Sequence, residues 1–306
     1  MCATLTSDRA KRFALAAGAA FALLLPPQLA GAQQLVATGE APQAGMTFFS
    51  FAPAKALQAV GMTVSMPWAS DMSKAQEAYR KGDFIAAREY LGRASEQGDI
   101  IATWYLGHIY RLGRGVPADG ALAFNYYMKV VEAFSTDESD PQRLRVMVDA
   151  LVRVADTYRT GNPKAGITAN PREAFGMFNT AASFGHPAAH YALARMMIEG
   201  SGVRRNPEMG VKWLMLAARK RFAPAQAALG DLYWQGGILR QDRVRALMWY
   251  KLADESAEPG SYPEIGDRLM ILEAQVTESE RTDALARAKS WADKYPATVV
   301  TVGMAE

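Results

Sequence analysis

Apolar positions recur along most of this chain with a helical period, and the face they mark is built from unusually small residues. In residues 225–237, AQAALGDLYWQGG, the positions Ala225, Leu229, Gly230 and Tyr233 run i, i+4, i+5, i+8, which is one side of an α-helix. The same arrangement appears as Ala102, Leu106, Gly107, Tyr110 and Gly113, and as Ala189, Leu193, Ala194, Met197 and Gly200. A weaker copy supplies Ala150, Val154, Ala155, Tyr158 and Gly161. Each copy leads into a second amphipathic segment. Asn170, Ala174, Met177 and Ala181 stand 36 residues before Asn206, Gly210, Trp213 and Ala217, and these stand 36 before Asp242, Ala246, Trp249 and Ala253. Asp119, Ala123, Tyr126 and Val130 form an earlier set, and Asp83, Ala87, Tyr90 and Ala94 the earliest.

The heading Asn or Asp is a natural N-cap, because its side chain accepts amide bonds that the first helical turn leaves open. Glycines between the two segments (Gly113 and Gly115, Gly200 and Gly202, Gly236 and Gly237) suit a tight turn at positive φ. Each unit therefore predicts helix A, a glycine turn and helix B, in an internal repeat of 36 residues. The small residues let helix A approach its neighbours closely, and the large side chain marked on helix B (Tyr126, Met177, Trp213 or Trp249) is expected to fill the space opposite.

The spacing deviates in two places. Ala102 to Ala150 spans 48 residues and Ala150 to Ala189 spans 39. The first excess falls on the polar stretch FSTDESDPQRLRV at 134–146, which predicts a loop or a frayed helix extension. Insertions of this kind in a repeat array map to loops on one side.

Outside the repeats, the pattern changes. Residues 1–32 carry Arg9, Lys11 and Arg12, then the apolar run FALAAGAAFALLL, then small residues ending in Ala32. That order is a secretory signal peptide, with cleavage between Ala32 and Gln33 and a periplasmic product. Residues 33–70 lack a sustained period and predict a flexible arm. After the repeat region at 71–260, EIGDRLMILEAQV and a segment starting with the capping box Thr277–Glu280 predict a capping helical pair at 261–296, leaving 297–306 as a tail.

Composition then removes several functions. The chain has one cysteine, Cys2, in the signal segment, so the mature form has no disulfide, thiol nucleophile or thiolate metal site. Losing three basic residues and one acidic one with the signal moves the net charge from +3 to +1, which argues against a nucleic-acid partner. No second apolar stretch has membrane length, which argues against stable membrane insertion. No G-x-S-x-G, P-loop or HExxH occurs, and no catalytic, cofactor-binding or metal residue is assigned. His186 and His190 stand i, i+4, a spacing that suits metal ligation. They straddle an inter-repeat turn with no carboxylate or cysteine near in sequence, and read as turn and surface histidines.

The phrase A-x-x-x-L-G-x-x-Y-x-x-G-x-G-V, followed by a second helix marked with alanines and an aromatic residue, resembles the Sel-like repeat, a relative of the tetratricopeptide repeat. Four units at 102–260 and a leading half unit at 75–99 carry the resemblance. It implies an all-α, right-handed α-solenoid of helix-turn-helix units with a C-terminal capping helical pair. Met177 departs from the second-helix aromatic, and Gly236-Gly237-Ile238-Leu239 departs from Gly-x-Gly-Val, so the last turn is expected to differ locally. In such units helix A lines a concave face. The implied partner-binding groove then holds Trp104, His108 and Arg111 of the first unit, Asp156 and Arg159 of the second, Tyr191 and Arg195 of the third, and Asp231, Trp234 and Gln235 of the fourth. Aromatic residues mixed with Arg and Asp have the composition of an interface.

Residues 72–295 as a whole, with AYRKGDFIAAREYL, GITANPREAFGMF, AAHYALARMMIEGSGVRRNP and RALMWYKLADESA in order, are similar to the ExoR-type periplasmic exopolysaccharide regulators of alphaproteobacteria. That resemblance implies a non-enzymatic negative regulator that binds and inhibits the periplasmic domain of a membrane sensor kinase (ExoS-like). It also implies release in acid and a periplasmic protease as a second partner. His108 is the one histidine placed in the groove, where mild acid would charge it. The other reading from the repeats is a periplasmic scaffold or adaptor for an envelope or cell-wall assembly complex.

Overall fold

A computed structural model of the chain describes residues 67–296. The expected signal segment with its Ala32–Gln33 cleavage point, nearly all of the arm and the tail lie outside the described residues. Residues Asp71–Glu306 form one compact unit, and its described part is helical throughout. In chain order the helices are α1 Pro67–Arg80, α2 Phe84–Glu96, α3 Ile100–Leu112, α4 Gly120–Glu132, α5 Pro141–Thr160 and α6 Pro171–Ser183. There follow α7 Pro187–Glu199, α8 Pro207–Arg219, α9 Ala223–Gln235, α10 Arg243–Ser256, α11 Pro263–Glu273 and α12 Glu278–Lys294. From α2 to α11 each helix packs on the next, and α3 also touches α5. This succession of neighbour contacts makes an all-α solenoid.

The caps stand where the repeat pattern places them. Asp83, Asp119, Asn170, Asn206 and Asp242 each accept a backbone amide in the first turn of α2, α4, α6, α8 and α10. The turn glycines adopt the left-handed region, with Gly113 at φ 68, ψ 31 and Gly200 at φ 80, ψ 26. Gly236 differs at φ 77, ψ −164, as its altered turn sequence suggests.

The small face of helix A is core. Ala102, Ala150, Ala189 and Ala225 are completely buried. Glycine at the Gly107 and Gly230 positions is a steric requirement: a Cβ on Gly107 would sit 2.6 Å from Tyr127, and one on Gly230 would sit 2.7 Å from Tyr250 Cε2. The space over the glycine is thus filled one residue later than expected, by Tyr127 and Tyr250, while Tyr126 and Trp213 stay partly exposed. The helix B side chain that points along the contact is set by the crossing of the two helices, which sequence spacing alone does not specify.

The two insertions are also resolved. The first divides into a short loop and two added turns at the front of α5, which Asp140 caps by accepting from Gln142 and Arg143. Pro141 at N1 starts that helix with its φ already suitable, so the polar stretch is loop up to Asp140 and helix from Pro141 onward. The second is a 3-10 turn, Pro163–Ala165, inside a small loop closed by an Asn162–Ile167 bridge.

At the C-terminal end, α11 and α12 both lie on α10. Ile265, Leu269, Leu272, Ala284 and Ala288 join Trp249 and Leu252 in one buried cluster. The capping box of Thr277 and Glu280 forms in both directions. Arg221, in the α8–α9 turn, is the one non-glycine residue with positive φ among the described residues, at 59°. Its counterpart 36 residues earlier is Gly185, at φ 77.

Candidate partner-binding surface

The expected groove residues do not form one open surface. Trp104 is 3% exposed and His108 6% exposed, so neither is available to a partner, and their assignment to the groove is corrected here. Both turn toward Asp149, on the front half of the lengthened α5. Trp104 Nε1 donates to Asp149 Oδ2 at 2.8 Å, and His108 Nε2 lies 3.4 Å from the same oxygen. Arg153, one turn on, places its guanidinium 3.2 Å from Oδ1, and His186, at the N-cap of α7, approaches that oxygen to 3.7 Å. One carboxylate therefore collects donors from α3, α5 and the start of α7.

Burial by itself would raise the Asp149 carboxyl. The Arg153 charge and the donors of His108 and His186 outweigh it and hold Asp149 well below the ordinary carboxylate range. For His108 the balance runs the other way: burial lowers its pKa despite the opposing Asp149, so mild acid does not charge it as a groove residue would be charged. His190 is buried as well, which corrects its reading as a surface histidine. Its Nε2 lies 3.2 Å from the Ala182 carbonyl, and burial pulls its pKa down to about 4. Asp149 is the carboxylate beside His186 that sequence proximity did not reveal. Its oxygens are already taken by Arg153 and Trp104, and among the described residues no group of three or more His, Cys, Asp or Glu is arranged to hold a metal ion.

The remaining groove residues lie on or near the surface and are paired locally. Arg111 reaches His108 Nδ1 at 3.4 Å. Asp156 and Arg159 bind each other at 2.7 Å. Arg195 bonds Glu199 and lies over the Tyr191 ring, which packs against Phe222. Asp231 accepts from the Tyr250 hydroxyl at 2.8 Å and faces Arg268. Trp234 is half-buried under Arg243, and Gln235 is exposed. Exposed pairs of this kind contribute little stability and exchange readily.

Helix periodicity missed a second surface, between the fourth unit and the terminal helix. Tyr233 of α9, Arg245 and Trp249 of α10, and Arg287, Trp291 and Lys294 of α12 line a cleft of about 470 Å³. A neighbouring cleft of about 370 Å³ shares Tyr233 and Arg245 and continues past Leu239, Arg240, Gln241 and Asp242. Only the docking of α12 on α10 brings the residues of the first cleft together.

The Sel1 repeat matches residues 76–99, 100–129, 148–186, 187–221 and 223–253. The chain belongs to the Sel1 repeat family. Its matched units coincide with the helix pairs described above, and the Asp149 cluster joins the second and third of them, with His186 the last residue of the third. Among curated proteins, this Sel1 repeat chain is 30% identical over 161 residues to an exopolysaccharide production negative regulator of Rhizobium meliloti (strain 1021), covering 52% of this chain and 59% of that protein. It is 29% identical over 164 residues to the protein of the same description from Rhizobium leguminosarum bv. viciae, covering 53% and 60%. The chain thus spans about three fifths of the length of these relatives. Among solved structures, a Sel1 repeat protein from Oxalobacter formigenes superposes with a TM-score of 0.51 at 23% identity, covering 72% of this chain and 86% of that one. That likeness supports the solenoid fold.

Proposed function

We propose that this chain is an exported, non-catalytic negative regulator of exopolysaccharide production that binds and inhibits the periplasmic domain of a membrane sensor kinase. The observation that carries the reading is the similarity to the two rhizobial negative regulators. The architecture fits it: stacked helix pairs offer extended surfaces for protein partners, and among the described residues no helix is long and apolar enough to cross a membrane. The apolar run and small-residue site before Gln33 supply the export step.

The test takes the mature chain from a periplasmic extract. N-terminal sequencing is expected to start at Gln33, and the purified chain is expected to retain the kinase's isolated periplasmic domain in a pull-down. Deleting the gene should raise exopolysaccharide output. An uncleaved N-terminus in the membrane fraction would remove the export step. A sensor domain that passes through unretained would remove the kinase as partner.

A further inference from the structure

We infer that the furrow between α10 and α12 is a docking site for an acidic peptide segment of a protein partner, with one apolar side chain at its centre. The inference rests on reading the chain as a partner-binding regulator and names the surface and the chemistry of what it takes. The floor is apolar, made by Met248, Trp249 and Trp291. The rim is cationic, with Arg245, Arg287 and Lys294 around one cleft and Arg240 beside the other.

Two of these cations have internal partners: Arg245 lies 3.3 Å from Asp242, and Arg287 lies 2.9 Å from Asp283. Both pairs are about half exposed, and exposed pairs are worth so little that an incoming carboxylate can displace them. Among the described residues no carboxylate stands within ion-pair distance of Arg240 or Lys294. Arginine forks take carboxylates through paired, charge-assisted hydrogen bonds.

The shape selects a chain over a compact anion. The two clefts, of about 370 and 470 Å³, share Tyr233 and Arg245 as lining residues, so an extended occupant can reach both. A purely charged ligand would leave the apolar floor unfilled. A sugar ring would need an open aromatic face, yet Arg245 covers the Tyr233 ring and Trp291 is engaged by Trp249 and Tyr295. An extended peptide with carboxylates flanking a leucine satisfies rim and floor together.

The experiment measures fluorescence anisotropy with a labelled peptide carrying a central Leu between Glu and Asp residues, against the full mature chain. A peptide with Lys in place of the acids and an oligogalacturonate serve as the other two probes. The acidic peptide is expected to bind, to weaken as salt rises, and to lose about tenfold or more in affinity in the Arg245→Ala, Lys294→Ala double variant. Arg240→Ala alone should cost less. Circular dichroism establishes that each variant is folded. The proposal is overturned if the Lys peptide binds equally well, if the folded double variant keeps its affinity, or if the oligogalacturonate binds more tightly through the same residues. The kinase sensor domain separates this site from the regulatory reading. A double variant that loses the peptide but retains the sensor domain overturns the furrow as the partner's dock. A wild-type chain that binds the peptide and no sensor domain leaves the site standing and removes the kinase.

Discussion

Gly230 and Tyr250 act as one packing element, in which the absent side chain of one makes room for the ring of the other. Helix A approaches α10 so closely that Tyr250 occupies the place a Cβ would take, while Ala246 O lies 3.3 Å from the same point. Gly107 and Tyr127 repeat the pair. In the third unit the equivalent positions are Ala194 and Leu214, so a methyl on helix A is accommodated by a smaller side chain on helix B. Replacing glycine by alanine inside an exposed helix ordinarily stabilises it by up to about 1 kcal/mol. Here overpacking reverses the sign: Gly230→Ala should destabilise by about 1–3 kcal/mol. Adding Tyr250→Leu should recover part of that loss, although it also removes the hydroxyl that Asp231 accepts. A double-mutant cycle by urea denaturation reads the coupling. Additive effects would show that the two positions do not share the space.

Between elements, the telling residue is Arg221. Every other described residue with positive φ is a glycine, and a non-glycine there costs roughly 1–2 kcal/mol. The side chain offers a reason for keeping it. Its guanidinium lies 3.7 Å from Glu255 at the end of α10 and over the Trp291 ring of α12. Arg219, two residues before, lies over Tyr295 in the same way. The end of α8 and the turn after it therefore hold the terminal helix through two arginine–aromatic contacts. Arg221→Gly should relieve the backbone and loosen the helix together. The expected outcome is a change in global stability of less than about 1 kcal/mol, with faster amide exchange in α12 and unchanged exchange in α9. Unaltered exchange around Trp291 would assign the arginine no such role.

For the whole molecule, acid is the condition that tests the core. His190 is neutral when folded, with a pKa near 4 against an ordinary value of 6.5, so between these limits the unfolded chain binds the extra proton. Stability then rises with pH across that window and is lost as pH falls from about 6.5 to 4, by about 3 kcal/mol. His108, also lowered by burial, adds in the same direction. Asp149, held far below the carboxylate range, stays ionised throughout and contributes to the slope only under more acidic conditions. The repeat itself names the control. Gln226 occupies the position of His190 one unit later, is completely buried, and donates to the Ala218 carbonyl as His190 Nε2 does to Ala182. Denaturant midpoints of wild type and His190→Gln from pH 7.5 to 4.5 are expected to diverge, with the flatter profile in the variant. Parallel profiles would place the acid response elsewhere.

Chain order was enough for whatever repeats. Helix pairs, their Asp and Asn caps, the glycine turns, the altered last turn at Gly236 and the Thr277–Glu280 box all follow from contacts within a unit or a turn, where spacing along the chain equals neighbourhood in space. The family resemblance is legible for the same reason. Placement of the groove was not, because whether a helix A side chain faces solvent depends on what the next units lay over it. Packing of α5 on α3 puts Asp149 against Trp104 and His108, 45 and 41 residues away in the chain, and a polar set that pattern alone assigns to a surface becomes core. The α10–α12 furrow was hidden equally well. Its rim comes from α10 and α12, and no period connects Arg245 with Arg287 and Lys294. Periodicity reports which residues share a face of one helix; the tertiary structure decides what that face meets, because burial is a property of the neighbours.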